Sequence, residues 1–299
     1  HIIGPAGLEF QQSKQPFGFY RNSIGLLFVR KAVRSTAATN LIISNVFMSL
    51  SRKKLLVSVR NPNEAKTAIT AGVDILDIKE PANGALGRAD WETLRAILSD
   101  VPDHQQVSAA MGELHDLTDW LNDHWQPPVQ LGRLDYTKCG LAGMARQPWR
   151  ERSAIVWNRF RQFSRPVAVA YADSQNADSP PSIEVLKHAV HHHVDTFLID
   201  TFEKKGRDVF DYLKRDELPT LINIARRNQI QFVLAGSISF KNLDLATKLD
   251  IDFIGVRGLV CQRSRRSEIV LDRVLKLKTV LQEMLPHPAN PESKCSLNS

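Results

Sequence analysis

The chain has few cysteines and no long apolar run. Only Cys139, Cys261 and Cys295 occur among its 299 residues, and no two of them form a CxxC pair. An odd and sparse set of cysteines argues against a disulfide framework and indicates a reducing compartment, so we expect a cytoplasmic protein. No segment approaches the roughly 18 consecutive apolar residues of a membrane-spanning helix, so we expect no membrane partner.

Acidic residues are scarce in the first part of the chain. Residues 1–54 contain eight basic residues and one acid, Glu9, which accounts for the whole net charge of +7. The remaining residues hold 31 basic and 31 acidic side chains. A nucleic-acid-binding domain carries its basic excess in the folded part. We therefore expect no nucleic-acid partner.

The first segment also differs from the rest in pattern. Residues 1–47 lack clear periodicity, begin with His1 and end just before Met48, the first methionine. A targeting peptide would also be basic and poor in acids, whereas the apolar run Ile24–Val29 is short for a secretory signal. We favour a third interpretation, a leader 1–47 that is disordered or spurious, with translation starting at Met48. The polar residues 286–299 are expected to form a disordered tail, which leaves 48–285 as the catalytic domain.

From residue 55 onward, short apolar runs alternate with amphipathic segments. Such runs, rich in β-branched residues, are typical of strands buried on both faces of a parallel sheet. The strand candidates are Leu55–Arg60, Asp74–Lys79, Gln106–Met111, Asp135–Gly140, Val167–Asp173, Thr196–Thr201, Gln231–Ser237 and Asp252–Arg257. The helix candidates are Asn63–Ala71, Trp91–Leu98, Trp149–Phe163, Ile183–His192, Val209–Arg227, Leu243–Leu249 and Glu268–Met284. Eight alternating strands predict a single TIM-type (β/α)₈ barrel, with a leader outside it.

Ionisable residues interrupt these apolar strands near their ends. Asp77 and Lys79 lie two residues apart in the second strand, so their side chains share a face. Lys138 lies near the end of the fourth strand, and Asp200 ends the sixth, with Lys204 four residues beyond. Salt bridges that close the barrel top are one explanation. Because TIM-barrel active sites lie at the C-terminal ends of the strands, we favour a catalytic set.

Such a set suits imine formation on a small phosphorylated aldehyde. A neutral lysine amine attacks a carbonyl, and the resulting iminium withdraws electrons. Burial and neighbouring cations, such as Lys138 and Lys204, lower the pKa of a lysine toward neutrality. Asp77 and Asp200 would oppose that shift, but they can also transfer protons. The sequence leaves the balance open.

The last two strands end in turns that resemble phosphate-binding loops. In TIM barrels, the loops after strands seven and eight commonly bind phosphate through backbone N–H groups. Glycine allows close approach of the backbone, and an arginine can bind phosphate with two hydrogen bonds. Tight turns without a ligand are the alternative. The expected substrate- or phosphate-binding residues are Asp173, Gly236, Ser237, Gly255, Arg257 and Gly258.

Other signals are weaker. The long loop 81–88 after the second strand is either a mobile cover or a surface turn. His188, His191, His192 and His193 have spacings compatible with a metal, but their place at a helix C-terminus favours cations or dipoles near the last carbonyls. Cys139 should face away from Lys138 and pack against helices. We therefore expect neither a metal nor a cofactor.

Several motifs together resemble one family. Asp77-Ile78-Lys79-Glu80-Pro81 with Gly84-Ala85-Leu86-Gly87 resembles the signature of (5-formylfuran-3-yl)methyl phosphate synthases, also called 4-(hydroxymethyl)-2-furancarboxaldehyde-phosphate synthases. Further matches are Val107-Ser108-Ala109, Lys138-Cys139-Gly140-Leu141, Ala170-Tyr171-Ala172-Asp173, Asp200-Thr201 with Lys204 and Gly206, Leu234-Ala235-Gly236-Ser237-Ile238 and Gly255-Val256-Arg257-Gly258. The resemblance extends from Leu55 to Met284. The insert Asp116–Pro128 and the leader have no counterpart in it.

The resemblance implies a lyase of methanofuran biosynthesis. Such an enzyme joins two molecules of glyceraldehyde 3-phosphate with loss of phosphate and water. It implies Lys79 as the Schiff-base lysine, Lys138 as proton acceptor and Lys204 as a further catalytic lysine, with Asp77 and Asp200 as proton-handling partners. Another Schiff-base aldolase for sugar phosphates and a non-catalytic phosphometabolite-binding barrel stay open as alternatives, and so does a homo-oligomer.

Overall fold

The structure is a computed structural model that describes residues 53–122, 124, 126–204, 206–214 and 216–283. The predicted leader 1–47 and the predicted tail 286–299 lie outside the described residues. Within the described part, no helix is both long enough and apolar enough to cross a membrane.

Eight parallel strands form a closed barrel in the described part of the chain, in the order β1 to β8. The barrel closes where β1 pairs with β8, with Leu55 opposite Ile254. The predicted TIM-type barrel is therefore confirmed. The strands are β1 Lys54–Val59, β2 Ile75–Ile78, β3 Gln106–Glu113, β4 Tyr136–Gly140, β5 Arg165–Tyr171, β6 Thr196–Asp200, β7 Gln231–Leu234 and β8 Phe253–Val256.

Helices cover the outside of the barrel. Among the described residues they are α1 Pro62–Thr70, α2 Trp91–Asp100, α3 Trp149–Phe160, α4 Ser182–His191, α5 Val209–Tyr212, α6 Glu217–Arg227, α7 Leu243–Thr247 and α8 Leu271–Glu283. The described residues between β3 and β4 hold two short 3₁₀ turns, Leu114–Asp116 and Asp119–Leu121, in place of a full helix.

The single helix predicted for Val209–Arg227 is wrong, because the structure has two. A capping box between Asp208 and Asp211 starts α5, which ends after one turn at Tyr212. Pro219 lies in the first turn of α6. Proline lacks the N–H that a helix interior requires but is tolerated in a first turn, so a new helix must begin shortly before it.

Strand alternation sorts side chains into two apolar layers. Outward residues such as Val57, Leu76 and Ile199 pack with helix residues in the large core. Cys139 belongs to this outer layer, as predicted, and burial raises the pKa of its thiol. A second cluster, which includes Leu56, fills the barrel interior. Active sites of TIM barrels lie above such a packed floor, at the C-terminal mouth of the barrel.

Candidate active site

A cavity of about 520 Å³ opens at the C-terminal ends of the strands. Its walls bring together all five residues expected to be catalytic, which come from β2, β4 and β6 and from the segments that follow β2 and β6. They are Asp77, Lys79, Lys138, Asp200 and Lys204. The turns after β7 and β8 also line the cavity. Buried charges are costly unless paired, and each amine here lies near a carboxylate.

Lys138 and Asp77 form a buried ion pair at the base of the cavity. The Lys138 amine donates hydrogen bonds to Asp77 Oδ1 and, at 2.8 Å, to Ser108 Oγ. The Ser58 hydroxyl donates to the other carboxylate oxygen of Asp77 at 2.9 Å. The pairing follows from strand register, because Ser58, Asp77 and Ser108 lie opposite one another on β1, β2 and β3. The arrangement holds an amine and a carboxylate ready to exchange a proton.

Lys79 follows β2 on the same face as Asp77 and is 9% exposed. Its amine lies 3.9 Å from Asp200 Oδ2, too far for a hydrogen bond. Burial lowers the pKa of Lys79 to about 8, because the Lys204 and Lys138 cations add to the burial effect while Asp200 and Asp77 oppose it only in part. With this pKa, about a tenth of the Lys79 amine is neutral at pH 7, and the fraction rises with pH.

Lys204 and Asp200 form the third charged contact. The Lys204 amine donates to Asp200 Oδ1 at 2.6 Å and to Thr201 Oγ1 at 2.9 Å. Burial would raise the pKa of Asp200, but the Lys204 and Lys79 cations lower it to about 2. Burial lowers the pKa of Lys204, against the effect of Asp200. Asp200 is thus an ionised carboxylate between two amines.

Backbone N–H groups of the turns after β7 and β8 belong to residues that line the cavity. Gly236 and Ser237 have φ values of +101° and +54°, in the left-handed region. A Cβ at Gly236 would lie 3.0 Å from Thr201, so only glycine fits closely there. Within the described residues, the N–H groups of Gly236, Ser237 and Gly258 have no hydrogen-bond acceptor. Consecutive unpaired N–H groups of this kind suit an anion.

The sequence was compared with models of known protein families. A family model described as 4-HFC-P synthase matches residues 55–278, which span β1 to α8. The chain belongs to the 4-HFC-P synthase family.

Curated relatives agree with the 4-HFC-P synthase assignment. A Methanopyrus kandleri protein named (5-formylfuran-3-yl)methyl phosphate synthase is 31% identical over 221 residues, which cover 72% of this chain and 92% of that protein. An Archaeoglobus fulgidus protein of the same name is 30% identical and covers 75% of this chain and 97% of its own length. The phosphoribosyl anthranilate isomerase of Thermus thermophilus is similar in fold, with a TM-score of 0.51 at 12% identity over 77% of this chain and 99% of that one.

In this 4-HFC-P synthase family member, Arg257 does not have the geometry expected of a phosphate ligand. Its guanidinium donates to both carboxylate oxygens of Glu64, at 2.7 and 3.0 Å. The remaining N–H groups donate to the carbonyls of Ser58, Arg265 and Ser267. All five N–H groups are thus occupied, so Arg257 borders the cavity as a structural residue. Gly255 also borders the cavity, and the Ala235 side chain lies 3.1 Å from where its Cβ would be.

Asp173, unlike Arg257 and Gly255, is not part of the cavity wall. Its two carboxylate oxygens accept hydrogen bonds from the backbone N–H groups of Phe202 and Glu203, at 2.7 and 2.8 Å. These bonds hold the loop after β6, which carries Lys204. Because both carboxylate oxygens accept hydrogen bonds from this loop, the geometry of Asp173 is that of a residue that positions the loop. It is not the geometry of a substrate ligand.

Some residues around the site received no role from sequence. Ser58 and Ser108 orient the Lys138–Asp77 pair, but a serine inside a strand is too common to be a signal. Arg265 borders the cavity from the loop after β8. A buried pair also escaped notice: the Tyr171 hydroxyl donates to Glu113 Oε1 at 2.5 Å, and burial raises the pKa of both groups.

Of the two states expected for the histidines at the end of α4, cation or dipole, His188 is in the neutral, dipolar one. This ring packs against Trp149 and Trp157, and its Nε2 lies 3.0 Å from the carbonyl oxygen of Arg150. Burial and the neighbouring His192 lower the pKa of His188 to about 4, so it is neutral at pH 7. Among the described residues, no cluster of three or more histidine, cysteine or acidic side chains could hold a metal ion.

Proposed function

We propose that this protein is a Schiff-base lyase that condenses two molecules of glyceraldehyde 3-phosphate into (5-formylfuran-3-yl)methyl phosphate. One phosphate and water leave, and the product serves the biosynthesis of a methanofuran-type cofactor. Membership of the 4-HFC-P synthase family supports the reaction. The observation that carries the mechanism is the buried Lys79 amine, whose pKa lies near 8 at the base of a cavity with free N–H groups.

In the proposed first step, the neutral Lys79 amine adds to the aldehyde carbon of one triose phosphate. The carbinolamine then loses water to form an iminium, which acidifies the adjacent C–H bond. Loss of that proton gives an enamine that can form a carbon–carbon bond with the second triose. Removing phosphate and water in later steps again requires groups that accept and donate protons.

We propose that the two ion pairs carry out those proton transfers. Lys138, held by Asp77 and Ser108, is the proposed proton acceptor at the base of the cavity. Asp200 and Lys204 flank Lys79 from the other side and are proposed to donate and accept protons during dehydration. The unpaired N–H groups of Gly236, Ser237 and Gly258 are proposed to bind a substrate phosphate.

The proposal also covers the cellular compartment and the substrate of the protein. We place it in the cytoplasm, with a small phosphorylated aldehyde as its partner. Cys139 and Cys261 are both buried free thiols, as suits a reducing compartment. A homo-oligomer is compatible with this proposal.

The test is chemical trapping with glyceraldehyde 3-phosphate. Borohydride should reduce an imine on Lys79, detected as a mass increase on the peptide that contains this residue. Without borohydride, inorganic phosphate and a furan absorbance should appear together. Lys79→Met should abolish adduct and product, whereas Lys66→Met, at an exposed lysine on α1, should change neither.

The alternatives predict different outcomes. A trapped adduct without phosphate release would indicate an aldolase for sugar phosphates. Absence of any adduct at Lys79, in folded protein that still binds triose phosphate, would contradict the proposal and favour a non-catalytic binding barrel.

A further inference from the structure

The proposed reaction consumes two phosphorylated trioses, but its product carries a single phosphate. In the order proposed above, the carbon–carbon bond forms before phosphate leaves, so the cavity holds two phosphate groups at once. The free N–H groups of Gly236, Ser237 and Gly258 account for one of them. The next step, which rests on the proposed function, is to ask which residue holds the other.

The cations at the base of the cavity are already paired. Lys138 is bonded to Asp77, and Lys204 is bonded to Asp200. Arg257 uses its guanidinium on Glu64 and three carbonyls. None of these residues is left with an uncompensated charge for a second dianion. Lys79 itself becomes part of the covalent adduct.

Arg265 differs from these residues. Its side chain borders the cavity, and its single recorded acceptor among the described residues is the Gly84 carbonyl, 3.1 Å from Nη2. Within the described part of the chain, no carboxylate lies within ion-pair distance of its guanidinium. Partial burial lowers the pKa of Arg265, yet an arginine stays charged throughout the physiological range.

The loop around Arg265 is held in place by its own hydrogen bonds. The backbone N–H groups of Arg263 and Ser264 donate to the Ser267 hydroxyl oxygen, at 2.9 and 3.1 Å. The Arg265 carbonyl accepts a hydrogen bond of 2.6 Å from Arg257 Nε. The contact with Gly84 carries the side chain across the mouth toward the loop after β2. Arg265 therefore lies over the outer part of the cavity, with guanidinium N–H groups left for a ligand.

We propose that Arg265 binds the phosphate of the triose that enters second, while the glycine turns bind the phosphate of the triose attached to Lys79. The inner place suits the first substrate, because the turns directly follow β7 and β8, near the amine. The outer place suits the second, which must enter a cavity that already holds a covalent adduct. A planar guanidinium can hold a phosphate with two hydrogen bonds and can release it to solvent from the mouth.

The test compares Arg265→Ala with Arg266→Ala, which removes the same charge from an exposed neighbour in the same loop. Borohydride trapping should give the adduct of one triose on Lys79 in equal yield in both variants and the wild type. Formation of the furan product should be weaker in Arg265→Ala, with the KM for glyceraldehyde 3-phosphate raised by about 10- to 100-fold, the effect of one lost charge-assisted contact. Arg266→Ala should match the wild type.

Inorganic phosphate gives a second measurement that a merely structural role would not change. It should inhibit product formation by the wild type and by Arg266→Ala, and inhibit Arg265→Ala about tenfold more weakly. Arg265→Lys keeps the charge but lacks the planar guanidinium, so its inhibition by phosphate should lie between that of the wild type and that of Arg265→Ala. Equal KM and equal phosphate inhibition in the two alanine variants would overturn the inference. Loss of the one-triose adduct in Arg265→Ala would also overturn it, because Arg265 would then hold the first phosphate.

The two proposals can fail separately. If the wild-type protein forms neither adduct nor furan, the proposed function is wrong, and so is the role of Arg265 in it. A wild type that forms both, with Arg265→Ala indistinguishable from Arg266→Ala, leaves the function standing and removes only the second phosphate site.

Discussion

At the scale of single residues, the site depends on the Lys79 amine, whose positive charge is only weakly stabilised by its surroundings. Lys79 has two carboxylates nearby, but each carboxylate has a closer lysine partner. Asp77 and Asp200 therefore interact more strongly with Lys138 and Lys204 than with Lys79. Burial is then the dominant influence on the pKa of Lys79, which falls to about 8. The paired lysines act on Lys79 in two ways, as cations and as competitors for its counterions.

This arrangement predicts how imine formation depends on pH. The rate of borohydride-dependent trapping should rise with pH and level off above about 8, because only the neutral amine attacks the aldehyde. Lys204→Met removes a cation and frees Asp200 to act on Lys79, and both changes raise the pKa of Lys79. The midpoint should move up by about one pH unit. A midpoint that stays in place or moves down, measured beside Lys66→Met, would contradict this account.

At the scale of elements, an ion pair ties the end of β8 to the first turn of α1. Asn61 caps α1 and Pro62 opens it, which places Glu64 in the first turn beneath the Arg257 guanidinium. Both side chains are almost fully buried, at 4% and 1% exposure. Burial raises the pKa of Glu64, but Arg257, with help from Arg60, lowers it below its usual value. The pair therefore joins the end of the last strand to the helix that follows the first strand, where the barrel closes.

Loss of Arg257 should destabilise the barrel. Arg257→Met leaves a buried carboxylate with weaker compensation, which costs about 3–5 kcal/mol of unfolding free energy at pH 7. Without Arg257, burial raises the pKa of Glu64, so the variant binds a proton on folding and its deficit should shrink as pH falls toward 5. Urea unfolding at both pH values measures this. The double variant Arg257→Met with Glu64→Gln should recover part of the loss; no recovery would argue against the pair as the cause.

At the scale of the whole molecule, we expect the closed barrel alone to be the catalytic unit. The family match covers residues 55–278, and β1 pairs with β8 within that range. All five proposed catalytic residues, and the turns of the proposed phosphate site, come from the same closed sheet and its loops. Nothing in the described site requires a residue before 53.

A shortened chain tests this view. Protein that begins at Met48 should form the Lys79 adduct and release phosphate at rates within about twofold of the full chain, since no group of the proposed mechanism is removed. Adduct yield by mass spectrometry and phosphate release measure the result. A tenfold loss of turnover in a folded shortened chain would show that residues 1–47 take part.

The alternation of apolar runs was enough to predict the barrel, because strands buried on both faces and amphipathic helices have different periodicities that are visible in one dimension. The positions of Lys79, Lys138 and Lys204 at strand ends were enough to predict that these amines converge, because parallel strands end at one rim. Neither periodicity nor strand direction predicts which side chains form hydrogen bonds with one another. Only the tertiary structure showed that Arg257 is bound to Glu64, that Asp173 holds the loop of Lys204, and that Arg265 reaches the cavity. Those contacts join residues up to 193 positions apart, and their geometry depends on register and loop paths that no local pattern encodes.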